Sequence, residues 1–137
     1  MSVQTLNPAS LFQPAMYSQV AVATGKRMVF VAGQAPLDAR GQLVGEGDLA
    51  AQTEQVFRNI ANALTAAEAT FNNVGRLTIY LVGLGASTME QLGAGFGRAS
   101  EAIGPSFAAR PPVTMLVVHA LAMPGQLIEI EATAVLP

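Results

Sequence analysis

The chain contains no cysteine and no tryptophan, a single histidine, and only 12% charged residues in 137 positions. Each shortage excludes something. Without cysteine there are no disulfides, no thiol nucleophile and no thiolate metal site. One histidine, His119, leaves too few partners for a histidine-based metal centre, and no cofactor motif is present. Seven basic side chains, scattered as Lys26, Arg27, Arg40, Arg58, Arg76, Arg98 and Arg110 under a net charge of −2, form no stripe for a nucleic-acid backbone. No apolar run approaches the roughly 20 residues that span a bilayer, and no basic segment followed by an apolar one opens the chain as a secretion signal would. The expectation is a soluble, cytoplasmic protein that binds neither nucleic acid nor membrane.

Hydrophobic residues make up 51% of the chain. About 25% charged residues is usual for a soluble domain, so 16 charged side chains cover this surface thinly. Either the surface is unusually apolar or part of it is hidden between copies of the chain, and the latter is expected. The length suits one domain, residues 1–137.

The periodicities give the element order β-β-α-β-α-β-β. Residues 1–16, with Pro8 and Pro14, read as an irregular arm. Val20–Thr24 and Arg27–Ala32 flank Gly25-Lys26 as a β-hairpin, and a turn follows at Asp38–Gly41. Behind the N-cap Asp48, apolar residues recur at three- and four-residue steps, predicting a helix of about 19 residues that packs one stripe on a sheet. Leu77–Val82 is a short strand. Met89–Ala102 is a weaker helix, because Gly93, Gly95 and Gly97 each cost roughly 1 kcal/mol relative to alanine; this segment is either irregular or closely packed on a neighbour. Thr114–His119 and Leu127–Leu136 are the last strands. The fold class is α+β, a mixed sheet with both helices on one face.

Little in this outline carries chemistry. His119 lies in an apolar strand, and no Gly-x-Ser-x-Gly elbow accompanies it. Asp38, Glu46 and Asp48 are explained by turn and cap chemistry. Arg110 stands in a proline-flanked loop, where a guanidinium is either solvent-exposed or a bidentate clamp for a carboxylate. Tyr17 offers a packing ring or a phenol. The closing strand Ile128-Glu129-Ile130-Glu131-Ala132 places both glutamates on one face and the isoleucines on the other. That face is an ordinary solvated one, or it lines a cleft where a carboxylate does acid–base work.

Five segments, taken in order, resemble the RidA/YjgF family, also called endoribonuclease L-PSP: Tyr17-Ser18; Gly33-Gln34-Ala35-Pro36-Leu37-Asp38; Gln52-Thr53 with Asn59-Ile60; Leu77-Thr78-Ile79-Tyr80-Leu81; and Ile128–Ala132. The resemblance covers nearly the whole chain. It implies a chorismate-mutase-like fold, assembled as a homotrimer with small-molecule clefts between subunits. Deaminating members hydrolyse reactive enamines or imines left by pyridoxal-phosphate enzymes, releasing ammonia and a 2-oxo acid. The resemblance makes Glu129 the residue that handles water, puts the backbone of Gly33 and the ring of Tyr17 at the substrate, and leaves Glu131 with no assigned role. One departure stands out. The family's cleft arginine falls on Val113, with Arg110 three residues earlier, so Val113 and Met115 are expected to line the cleft while Arg110 reaches for it from the loop. Three extended residues cover about 10 Å, and an aliphatic group in place of the clamp removes a charge-assisted contact worth roughly 1.5–3 kcal/mol.

Overall fold

A computed structural model describes residues 2–137. Eight principal elements follow in order: β1 (Val3–Leu6), β2 (Val20–Ala23), β3 (Arg27–Gln34), α1 (Leu49–Ala66), β4 (Val74–Val82), α2 (Thr88–Ile103), β5 (Val113–Val118) and β6 (Ile128–Leu136). Four strands form a mixed sheet in the order β3-β6-β4-β5, with β4 and β5 parallel and the other pairs antiparallel. The α+β architecture expected above is therefore present, with both helices on one face.

The core lies between that face and α1. Ile128, Ile130, Ala132 and Ala134 alternate inward from β6, and Leu77, Ile79 and Leu81 do so from β4. They meet Val56, Phe57, Ile60 and Leu64, the three- and four-residue stripe of α1, all essentially excluded from solvent. Truncating such a side chain to alanine costs about 2–5 kcal/mol. The Asp48 side chain caps α1 by accepting from the Ala51 amide at 3.0 Å. The second helix is regular despite its glycines. A Cβ on Gly95 would lie 2.5 Å from Thr53 Cβ and 2.8 Å from the Ala50 carbonyl oxygen, so glycine lets α2 approach α1 closely.

Two expectations fail at the N-terminus. Residues 3–6 are a strand, not part of an irregular arm, and β1 pairs with β2 antiparallel, Val3 opposite Ala23. The expected Val20–Ala32 hairpin does not form as a ladder: β2 belongs to the two-stranded sheet, β3 to the larger one. Its turn is held instead by the end of β6, where the Lys26 amide donates to the Leu136 carbonyl at 3.0 Å. A Cβ on Gly25 would come within 2.8 Å of Val135 Cγ1 there. The local turn signal is outcompeted by these long-range backbone bonds. Ser2 completes the anchor, its hydroxyl donating to Val135 O at 2.6 Å.

The other sheet face carries no layer among the described residues. Met28 and Phe30 of β3 lie there beside Val135 and Thr133, with Glu129, Glu131, Tyr80 and Leu116 across the remaining strands. Phe30 is 74% exposed and Met28 61%. The thin charge coverage of the sequence is thus visible as bare apolar surface.

Candidate functional site

Near its end, β3 slips register against β6 between Val31 and Gln34, and this bulge sets Gly33 under the side chain of Glu129. A Cβ on Gly33 would lie 2.9 Å from the Glu129 carboxyl carbon and closer still to Oε2. Only glycine leaves room for the carboxylate, which rests half-buried on bare backbone. Its other oxygen is fixed. Gln126 Nε2 donates to Glu129 Oε1 at 3.1 Å and to the Ile128 carbonyl at 3.1 Å. Gln126 is 3% exposed, and its own carbonyl oxygen has no partner.

The two glutamates of β6 share a face but have different surroundings. Tyr80 stands opposite Glu129 in the register, yet its phenol donates diagonally to Glu131 Oε1 at 3.0 Å. That hydrogen bond, followed by desolvation and by the charges of Glu131 and Glu129, raises the phenol above its ordinary value near 10. Glu131 is therefore tied to Tyr80 on the uncovered face of the two central strands, leaving Glu129 as the carboxylate turned onto the backbone.

Two polar residues of α1 hold the loops that carry this arrangement. Gln52 is fully buried; its Nε2 donates to Gly45 O and Gly125 O, and its Oε1 accepts from the Leu127 amide at 2.8 Å. Asn59 Nδ2 donates to Ala35 O and Leu37 O, while Gln55 donates to Asn59 Oδ1. The segment leaving Gly33 and the segment entering Glu129 are thus both bonded to the same helix.

Of the remaining expected site residues, Arg110 and Val113 lie towards the other end of the sheet, while Met115 stands opposite Ile79 in its middle. Val113 pairs with Leu77 and Glu129 with Tyr80, three positions further along β4, or roughly 10 Å. Arg110 lies beyond Val113, exposed, with left-handed φ 52° and ψ 58° immediately before Pro111. Tyr17 is beside it, not within a strand: the Ser18 amide reaches Pro111 O at 3.5 Å. Arg110 and Val113 border an open cavity of about 350 Å³ under α2, together with Met16 and a group of phenylalanines. Met115 is exposed on the edge strand β5 and does not line it. His119 is exposed just past β5. Within one chain, then, Gly33 and Glu129 come together, and Arg110 and Val113 border a cavity towards the other end of β4. Tyr17 does not line that cavity, although its neighbour Ser18 bonds Pro111.

Sequence reasoning passed over Gln126 and Tyr80. A glutamine between Pro124-Gly125 and an apolar strand was the available signal for the first. For the second, the strand parity of Tyr80 was legible, but its glutamate partner depends on the β4–β6 register.

The comparisons with known proteins agree with this architecture. A family model described as Endoribonuclease L-PSP matches residues 9–136. Protein DfrA of Myxococcus xanthus is 34% identical over 119 residues, covering 87% of this chain and 84% of that protein. The rat 2-iminobutanoate/2-iminopropanoate deaminase is 32% identical over 120 residues, 87% of this chain and 79% of the relative. The crystal structure of the Yersinia pestis Rid-family protein YyfB, described as of unknown function, superposes with a TM-score of 0.85 at 32% identity, over 99% of this chain and all of the other. On the family match, the relatives and the shared fold, this chain belongs to the endoribonuclease L-PSP family, the Rid/YjgF group.

Proposed function

We propose that this protein hydrolyses reactive enamines or imines at clefts between copies of itself in a homotrimer. The observation that carries the proposal is the half-buried Glu129 carboxylate, held by Gln126 over the side-chain-free backbone of Gly33. A carboxylate so fixed can accept a proton from water while the water oxygen bonds to the imine carbon. The proton passes to the nitrogen to give a carbinolamine, whose hydroxyl proton then moves to the amine as the C–N bond breaks. Imine plus water thus becomes a carbonyl compound plus ammonia; an enamine reacts as its imine tautomer. No metal or cofactor is needed for this balance. The rat relative is named for an activity of this kind.

Two features support the assembly in this reading. The uncovered sheet face with Phe30 and Met28 is a surface that a second copy would bury. In a closed ring, moreover, the Gly33–Glu129 end of one chain can face the Tyr17–Arg110–Val113 end of the next, completing a cleft that a single chain leaves divided. A cytoplasmic location goes with this reading, because reactive imines arise where pyridoxal-phosphate enzymes act.

The aliphatic Val113 favours a second reading, a non-catalytic ligand binder using the same cleft, since the arginine expected at that position would be the carboxylate clamp. A ribonuclease fits less well: seven scattered cations under a net charge of −2 offer no track for RNA. Four measurements on the purified protein separate these. Ammonia release from freshly generated 2-imino acids and neutral imines should accelerate with protein concentration, and sedimentation should give three times the chain mass. Ligand-induced thermal stabilisation with no accelerated ammonia release from any of them would leave the binder, and salt-sensitive micromolar affinity for RNA would restore the ribonuclease.

A further inference from the structure

We infer that the cavity under α2 is an aromatic-ring pocket, and that the ligand of this protein carries a flat aromatic group on a short acidic chain; this deepens the small-molecule reading above and rests on it for the chemistry performed.

The argument begins with glycines that packing does not explain. Gly95 is demanded by contact with α1, but Gly93 and Gly97 are not: nothing lies within 4 Å of where their Cβ atoms would stand. Glycine is the poorest helix former after proline, and both residues keep it in the middle of a regular helix. Both border the cavity. Their missing side chains hold one wall open.

Behind that opening stand four phenylalanines. Phe107 meets Phe57 edge-on, with centroids 4.9 Å apart at 80°, and Phe71 at 5.2 Å and 87°; Phe96 lies 5.1 Å from Phe57. A further aromatic ring extends such an edge-to-face cluster favourably. Val113 adds an aliphatic wall, where an arginine would have placed a charge. About 350 Å³ is at the lower end of the range for ligand pockets, roughly 300–1,000 Å³, and suits one ring with a short substituent.

The rim supplies the acid's partner. Arg110 lines the same cavity, is exposed, and has no carboxylate within salt-bridge distance among the described residues. Its left-handed backbone is one that non-glycine residues rarely adopt. An unpaired guanidinium beside an apolar slot selects an acid whose body is aromatic.

Equilibrium titration of the full-length protein with phenylacetate, acetate and benzyl alcohol tests this without any need for turnover. Phenylacetate should bind roughly 10- to 100-fold more tightly than acetate, the value of burying a ring of this size. Arg110→Gln should weaken phenylacetate about 10-fold and leave benzyl alcohol unchanged. Gly97→Leu fills the slot and should abolish binding of both ring compounds without lowering Tm, since it also relieves a poor helix position; Gly93→Leu provides the same test should the first variant misfold. Equal affinity for phenylacetate and acetate, or undiminished ring binding in the filled variants, overturns the inference. If acetate and phenylacetate bind alike while Glu129-dependent imine hydrolysis is present, the pocket assignment fails and the enzymatic reading stands. Selective ring binding without any such hydrolysis gives the converse.

Discussion

Replacing Gln52 by methionine removes a fully buried amide of similar shape and isolates what the family's glutamine does in this fold. The wild-type side chain makes three hydrogen bonds, to Gly45 O, Gly125 O and the Leu127 amide, 75 positions away in sequence. Each is worth about 1 kcal/mol net, and the Leu127 amide left unsatisfied carries a penalty of roughly 1–3 kcal/mol. All three backbone partners belong to exposed or half-buried residues that water can reach, so the total should be near ~3 kcal/mol and not the full sum of penalties. For 137 residues the unfolding entropy is on the order of 290 cal/mol/K, and the expected fall in Tm is about 10 °C. Calorimetry reads the global effect. Amide exchange reads the local one, with the Leu127 amide losing protection more than amides in the middle of β4. A shift under 2 °C, or uniform loss of protection throughout the sheet, would refute the claim that Gln52 ties the approach to β6 onto α1.

Two further outcomes follow from the geometry. Gly95→Val should destabilise by about 1–3 kcal/mol through overpacking on Thr53, whereas a denaturant midpoint equal to wild type would mean that the helices are not in contact there. The Tyr80 phenol should titrate above 10 by ultraviolet absorbance, and Glu131→Gln should bring it back down. The sign for stability is that of a raised pKa: the contribution is present in full below pH 10 and is lost as pH rises through the folded-state value. A Tyr80 titration unaffected by Glu131→Gln would contradict the hydrogen bond.

What the sequence disclosed and what it withheld divide along the range of the interactions. The alternation in Ile128–Leu136 and the three- and four-residue stripe behind Asp48 are local patterns, and both elements form where they were expected. The close approach of Gly33 to Glu129 was not legible in either pattern, because it depends on the bulge in β3 and its register against β6. Strand β1 was missed because four residues, Val3–Leu6, with a single buried apolar side chain carry no usable periodicity. The β2–β3 hairpin was wrongly expected because a two-residue turn was read without its competitor, the C-terminal end of β6. Arg110 and Glu129 lie apart for a topological reason. The parallel crossover starts β5 at the same end as β4, while antiparallel β6 starts at the other. No spacing along the chain reveals that separation. Gln126 became legible only once Glu129 had a position for it to brace.

The central claim is that Glu129 manages the hydrolytic water. Ammonia release from a freshly generated imine, measured with wild type and with Glu129→Gln at matched oligomeric state, tests it most directly. Glu129→Gln should lower kcat by roughly 10²–10⁴-fold, the usual value of a positioned acid–base group, with Tm within a few degrees of wild type. Glu129→Gln turning over at the wild-type rate would contradict it.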